Sequence, residues 1–256
     1  MEDKRLLGNI ELSINQGIAT IEFYHPSHNS MPARLLADLS ETIRRMGEHE
    51  DVRVLVLQSK GEKTFCAGAS FDELISIKDK ENGHKFFMGF ANVINACRKC
   101  PKLIIGRVQG KAIGGGVGIA SATDYCFALK TAAVKLSELA VGIGPFVVGP
   151  AVQRKVGLSA FSQMAIHATQ FFDAEWAREK GLYASTYDSI EEMDKAIAEL
   201  AEILSKSSPE AMQHLKQVFW EGTENWDELL SIRAGISGKL VLTDFTVNAI
   251  NQFKSK

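Results

Sequence analysis

Apolar and polar residues alternate over Asn9–Asn15 and again over residues 17–24, on either side of Gln16-Gly17. A period of two interrupted at a glycine predicts a β-hairpin, and it stands first, as one edge of a sheet. After Pro32, which suits the first turn of a helix, Leu35, Leu36, Leu39, Ile43 and Met46 follow a helical spacing, and residues 52–57 form the short apolar run of a buried strand. A glycine-containing turn at 65–70 leads into a helix from about Phe71, and a longer helix is expected over 83–100. Residues 102–108 read as the next buried strand, 110–118 as a glycine-rich loop opening a helix through 119–122, and 125–129 as another strand. From Pro150 the pattern turns helical: Ile190, Met193, Ile197, Leu200, Ala201 and Leu204 keep a spacing near 3.6, and Pro209 opens a further helix. Strands interleaved with helices and followed by a helical tail predict a layered α/β core with a helical C-terminal region.

A chain of 256 residues lies near the upper limit for one hydrophobic core. We therefore expect one main unit over residues 1–205 and a helical C-terminal region over 206–256. A net charge of −2 gives no footprint for nucleic acid, which calls for a strongly basic face. No stretch reaches the roughly 18 apolar residues needed to span a bilayer, and the N-terminal segment has no apolar core after its charges, so a cytoplasmic protein without a membrane partner is expected. Cys97 and Cys100 form the one C-x-x-C, without two further ligands at zinc spacing, and the six histidines are scattered. Reduced thiols and no metal site are the expectation.

Two segments carry a chemical signal. F-C-A-G-A-S-F at 65–71 and I-G-G-G-V-G at 113–118 each follow an apolar strand and precede a helical run. Unpaired N–H groups at a helix start favour a bound anion or a developing oxyanion, and small residues let a ligand approach the main chain. Glycine clusters also make tight turns. The second segment lacks the G-x-G-x-x-G spacing and the later acid of a dinucleotide site.

F-C-A-G-A-S-F-D-E-L (65–74), V-Q-G-K-A-I-G-G-G-V-G (108–118), A-T-D-Y-C-F-A (122–128) and S-E-L-A-V-G-I-G-P (137–145) occur in this order, after H-P-S-H-N-S (25–30). Together they resemble consecutive signatures of the crotonase, or enoyl-CoA hydratase/isomerase, family over nearly the whole chain. The resemblance implies a crotonase-like spiral of ββα units, a C-terminal helical region that helps cover the site, and trimers that often pair into hexamers. It also implies a coenzyme A thioester as substrate, with no separate cofactor. On that pattern Ala69 and Gly115 supply the two amides of an oxyanion hole, and Ala67, Ser70, Phe71 and Asp72 join them in lining the thioester. His25 and His28 lie in a turn that the family places near the coenzyme.

Hydratases of this family usually carry two glutamates. The first position here is Gly118, which cannot transfer a proton; the second is Glu138. One carboxylate suffices for a 1,3-proton shift, whereas adding water is harder with one, so the residues lean toward isomerisation and the family toward hydration. Residues 145–149 form either an apolar wall facing the acyl group, reminiscent of methylglutaconyl-type branched enoyl-CoA hydratases, or plain core. A non-catalytic acyl-CoA-binding protein and a thioester hydrolase are the other readings. No aspartate follows Gly142-Ile143-Gly144, and no Ser-His-Asp spacing is present, which sets aside dehalogenase and serine-protease chemistry.

Overall fold

The structure, a computed structural model, describes residues 8–254. The hairpin forms as its pattern predicts: β1 (Asn9–Asn15) and β2 (Ile18–Tyr24) pair antiparallel, and Gln16 and Gly17 both take positive φ, 48° and 80°, as a tight two-residue turn demands. Then follow β3 (Ser30–Met31), α1 (Ala33–Glu48), β4 (Val54–Ser59), β5 (Thr64–Cys66), β6 (Gly68–Ala69), α2 (Phe71–Ser76) and α3 (Lys80–Lys99). The middle of the chain supplies β7 (Leu103–Val108), β8 (Lys111–Ile113), α4 (Gly115–Ser121), β9 (Tyr125–Leu129), β10 (Ala133–Lys135) and a 3-10 turn at Glu138–Val141. The remainder comprises α5 (Gly149–Ile166), β11 (Phe172–Asp173), α6 (Ala174–Glu179), β12 (Ser185–Tyr187), α7 (Ile190–Ser205), α8 (Pro209–Phe219), α9 (Trp226–Leu240) and α10 (Asp244–Lys254).

The main sheet runs β1-β2-β4-β7-β9-β12, parallel throughout except for the opening hairpin. A second sheet, β11-β10-β8-β5, and the short pair β3-β6 carry the loops that build the site. Side chains alternate along each strand, so β4 feeds two cores at once. Leu55 and Leu57 join the large core with α1 and α3, while Val54 and Val56 meet Met193, Ile197 and Ala201 of α7 on the other face. Burial on both faces is why the strand reads as a continuous apolar run.

Two expectations need correction. The chain is not purely helical after Pro150, because β11 and β12 intervene and β12 completes the main sheet beside β9. The expected turn at 65–70 contains two short parallel strands, paired with β8 and β3. Such two- and three-residue strands are held by partners distant in sequence and show no period of their own.

The helical C-terminal region is fastened to the rest of the fold in two places, at α3 and at the main sheet. Gly83 of α3 and Gly238 of α9 allow backbone contact: a Cβ on Gly83 would fall 2.8 Å from Gly238 Cα. On α8, Lys216 is buried against Asp124, whose Oδ2 accepts from Lys216 Nζ (2.5 Å) and Ile104 N (2.8 Å) and whose Oδ1 accepts from Trp220 Nε1 (3.0 Å). Removing one partner of a buried pair strands the other charge. Lys216→Ala is therefore expected to cost about 3–5 kcal/mol in denaturant unfolding. A loss no larger than the roughly 1 kcal/mol of a surface pair would contradict this account.

Candidate active site

The site begins where two strands end and two helices start. Gly68 at φ 87° and Gly114 at φ 52° adopt conformations that L side chains rarely take. The Gly114 amide donates to the Lys135 carbonyl (2.8 Å), and its own carbonyl accepts from Val117 and Gly118 at the first turn of α4. Gly115, opening that helix, has an N–H with no partner inside it. A Cβ on Gly68 would fall 2.8 Å from the Ile113 carbonyl and 3.4 Å from the Gly115 nitrogen. Residues 67–69 and 113–115 thus lie against each other, and Ala69 and Gly115 line one cavity of about 350 Å³.

Glu138 enters this cavity from the 3-10 turn and is the one carboxylate among its lining residues. Its Oε1 lies 3.0 Å from where a Cβ of Gly114 would be. Although the residue is only half-buried, Oε2 is out of solvent and has no hydrogen-bond partner among the described residues. Desolvation favours the neutral form and raises its pKa to about 7, against a slight lowering by its own backbone N–H. An acid titrating there can both take and return a proton near neutral pH.

The place of a second acid is filled. A Cβ at Gly118 would lie 2.5 Å from Val148 Cγ1 and 2.7 Å from Val148 Cβ, and Val148, buried, lines the same cavity. Beneath Gly115 the Phe90 ring is closer still, with Cε1 2.1 Å from a would-be Cβ. Pro145, Phe146 and Val147 also face the cavity, so the segment 145–148 is wall as well as core. From the C-terminal region, Ser237 of α9 joins the lining, and Phe245 and Thr246 of α10 abut Gly142.

Of the residues singled out in the sequence, Ala67, Ala69, Phe71, Gly115 and Glu138 come together at the cavity, whereas Ser70 and Asp72 do not line it. The Ser70 hydroxyl instead caps α2 by accepting from Glu73 N, and Asp72 is exposed in that helix's first turn. The 25–30 turn lies alongside, joined by the Ala67 amide donating to the His28 carbonyl (3.2 Å); His25 Nδ1 stands 3.1 Å from Ser30 Oγ. Phe90 and Lys135 line the cavity without any signal in the sequence that would have marked them, whereas Val148 belongs to the 145–149 segment already read as a possible wall. The four cysteines are free and buried, and burial pushes Cys66, Cys97 and Cys126 up to about 12. Among the described residues no cluster of three His, Cys, Asp or Glu stands close enough to hold a metal ion, and no helix is long and apolar enough to cross a membrane.

The enoyl-CoA hydratase/isomerase family model matches residues 13–243. The chain belongs to this family. This hydratase/isomerase-family enzyme is 27% identical, over 98% of its length and 96% of the relative's, to a short-chain-enoyl-CoA hydratase of Clostridium acetobutylicum. It is 25% identical to a peroxisomal Δ(3,5)-Δ(2,4)-dienoyl-CoA isomerase of Arabidopsis thaliana, covering 88% of this chain and 84% of the other. The crystal structure of an enoyl-CoA hydratase from Bacillus halodurans shares its fold, with a TM-score of 0.87 at 19% identity over 95% and 99% of the two chains.

Proposed function

We propose that the enzyme binds an enoyl-CoA thioester with the carbonyl oxygen between the amides of Ala69 and Gly115 and uses Glu138 as its acid/base for a 1,3-proton shift. The observation that carries this reading is the desolvated Glu138 carboxylate, its Oε2 without a hydrogen-bond partner among the described residues, beside the two adjoining segments. Loss of the C2 proton turns a thioester into an enolate, so charge gathers on the oxygen mainly in the transition state. A preset amide donor at that point is worth about 3 kcal/mol and needs no reorganisation.

Ionised Glu138 takes a proton from C2 of a 3-enoyl thioester, the dienolate oxygen rests on the two amides, and the protonated carboxyl returns its proton at C4, giving the 2-enoyl thioester. No water enters this balance. That agrees with Val148 occupying the space that a second, water-positioning acid at position 118 would need. Hydration of a 2-enoyl thioester is the second reading, favoured by relatives named hydratases.

A spectrophotometric panel of 3-enoyl and 2-enoyl thioesters tests the choice: conversion of the 3-enoyl ester at a rate exceeding water addition is expected, and faster hydration would overturn the proton shift. Because the base must be ionised, kcat/KM for the 3-enoyl ester should rise with pH through about 7 and level off above it. A flat profile between about pH 6 and 8 would remove Glu138 from that step.

A further inference from the structure

The face of the small sheet that carries Ile113 also carries two lysines. Side chains alternate along a strand, so Lys111 and Ile113 of β8 share a face, and Lys135 of β10 stands in register with Ile113. Ile113 and Lys135 both line the active-site cavity. Phe171, 37% exposed, immediately precedes β11, which pairs with β10, and its ring receives both ammonium groups: Lys135 Nζ lies 4.3 Å and Lys111 Nζ 5.1 Å from the centroid.

Among the described residues neither lysine forms a salt bridge with a carboxylate. Partial burial first, and then the neighbouring Lys111 charge, hold the Lys135 ammonium below its ordinary range. Glu138 is no counter-ion to it, since desolvation governs that carboxyl and no cation draws it down. Two like charges sharing one aromatic ring are in a state that an anion would relieve. Lys135 is the one cation among the described residues lining the cavity, whose wall is otherwise largely apolar, and Lys111 and Phe171 stand beside it outside that lining.

We propose that Lys135 and Lys111, sharing Phe171, form an anion-binding subsite of the cavity that takes a carboxylate or phosphate on the part of the ligand remote from the thioester carbonyl. This rests on the reading that a thioester occupies the cavity, but not on which reaction follows. A carboxylate at the end of the acyl group and a phosphate of the coenzyme offer the same chemistry, and binding measurements separate them.

Isothermal titration with saturated thioesters, which have no double bond to shift or hydrate, tests the subsite: butanoyl-CoA, its carboxylated counterpart 4-carboxybutanoyl-CoA, and butanoyl-pantetheine, which lacks the coenzyme phosphates. Lys135→Met keeps the apolar stem and removes the charge, and binding of the anion-bearing ligand should weaken about tenfold or more, while Lys135→Arg retains it. If the anion is the acyl carboxylate, the loss falls on 4-carboxybutanoyl-CoA alone. If it is a phosphate, both coenzyme esters lose equally and the pantetheine ester does not. Unchanged affinity for all three ligands in Lys135→Met and in the Lys111→Met/Lys135→Met pair would overturn the subsite while leaving the Glu138 chemistry intact. Failure of the wild type to bind any of the three would remove the thioester reading and the subsite with it.

Discussion

Glu138→Gln is expected to lower turnover of enoyl thioesters by about a hundred- to ten-thousandfold, the range that a positioned acid/base supplies, with thioester binding close to wild type. The amide matches the carboxylate in size and so leaves the contact at Gly114 in place. It cannot accept a proton, and no other carboxylate lines the cavity to replace it. The loss should not come from unfolding. Burial raises the folded-state pKa of Glu138 from 4.5 to about 7, so between those values the unfolded chain ionises this group more readily than the folded one, and stability falls as pH rises through that window. The glutamine variant escapes this penalty. Its melting temperature at neutral pH and above should therefore equal or exceed that of the wild type, and a lower one would point to structural damage.

Gly115→Ala should be nearly as harmful for a different reason. The amide nitrogen survives the substitution, but the new methyl meets Phe90 at 2.1 Å from Cε1 and 2.5 Å from Cζ. Either the buried ring leaves its place or the start of α4 shifts. The first costs about 1–3 kcal/mol of overpacking; the second displaces the donor from the oxygen, and losing one such donor typically lowers kcat by about 10²- to 10³-fold. Adding Phe90→Leu to Gly115→Ala makes room for the methyl and should recover both stability and a part of kcat. If Gly115→Ala alone matched the wild type in kcat and in melting temperature, the tight approach of Phe90 would carry no functional weight.

These expectations rest on residues of differing legibility. The hairpin, α1 and β4 announce themselves through period and composition, because burial on one face or two leaves a repeating trace. The Glu138 position and the two glycine-bearing segments are visible as motifs, and geometry brings their members to one cavity. Phe90 leaves no such trace, and Val148 shows only as one member of the apolar 145–149 run. The importance of each comes from the glycine it faces across the fold. Lys216 is harder still: a lysine is normally solvated, and the carboxylate that holds it inside lies 92 residues away. Lys111 and Lys135 likewise look like separate surface charges until strand register sets them on one sheet face, with Lys135 at the cavity and Lys111 next to it.

The most direct test of the central claim is exchange of the C2 protons of butanoyl-CoA in D₂O, followed by NMR with wild type and Glu138→Gln. This step needs only a base beside C2 and a pair of donors at the carbonyl oxygen, and it is indifferent to whether the full reaction is isomerisation or hydration. Deuterium entering C2 with the wild type, and entry reduced to near the uncatalysed level with the variant, is the predicted result. Equal exchange by both proteins, or tight binding by the wild type with no exchange at all, would contradict it, the latter in favour of a non-catalytic acyl-CoA-binding protein.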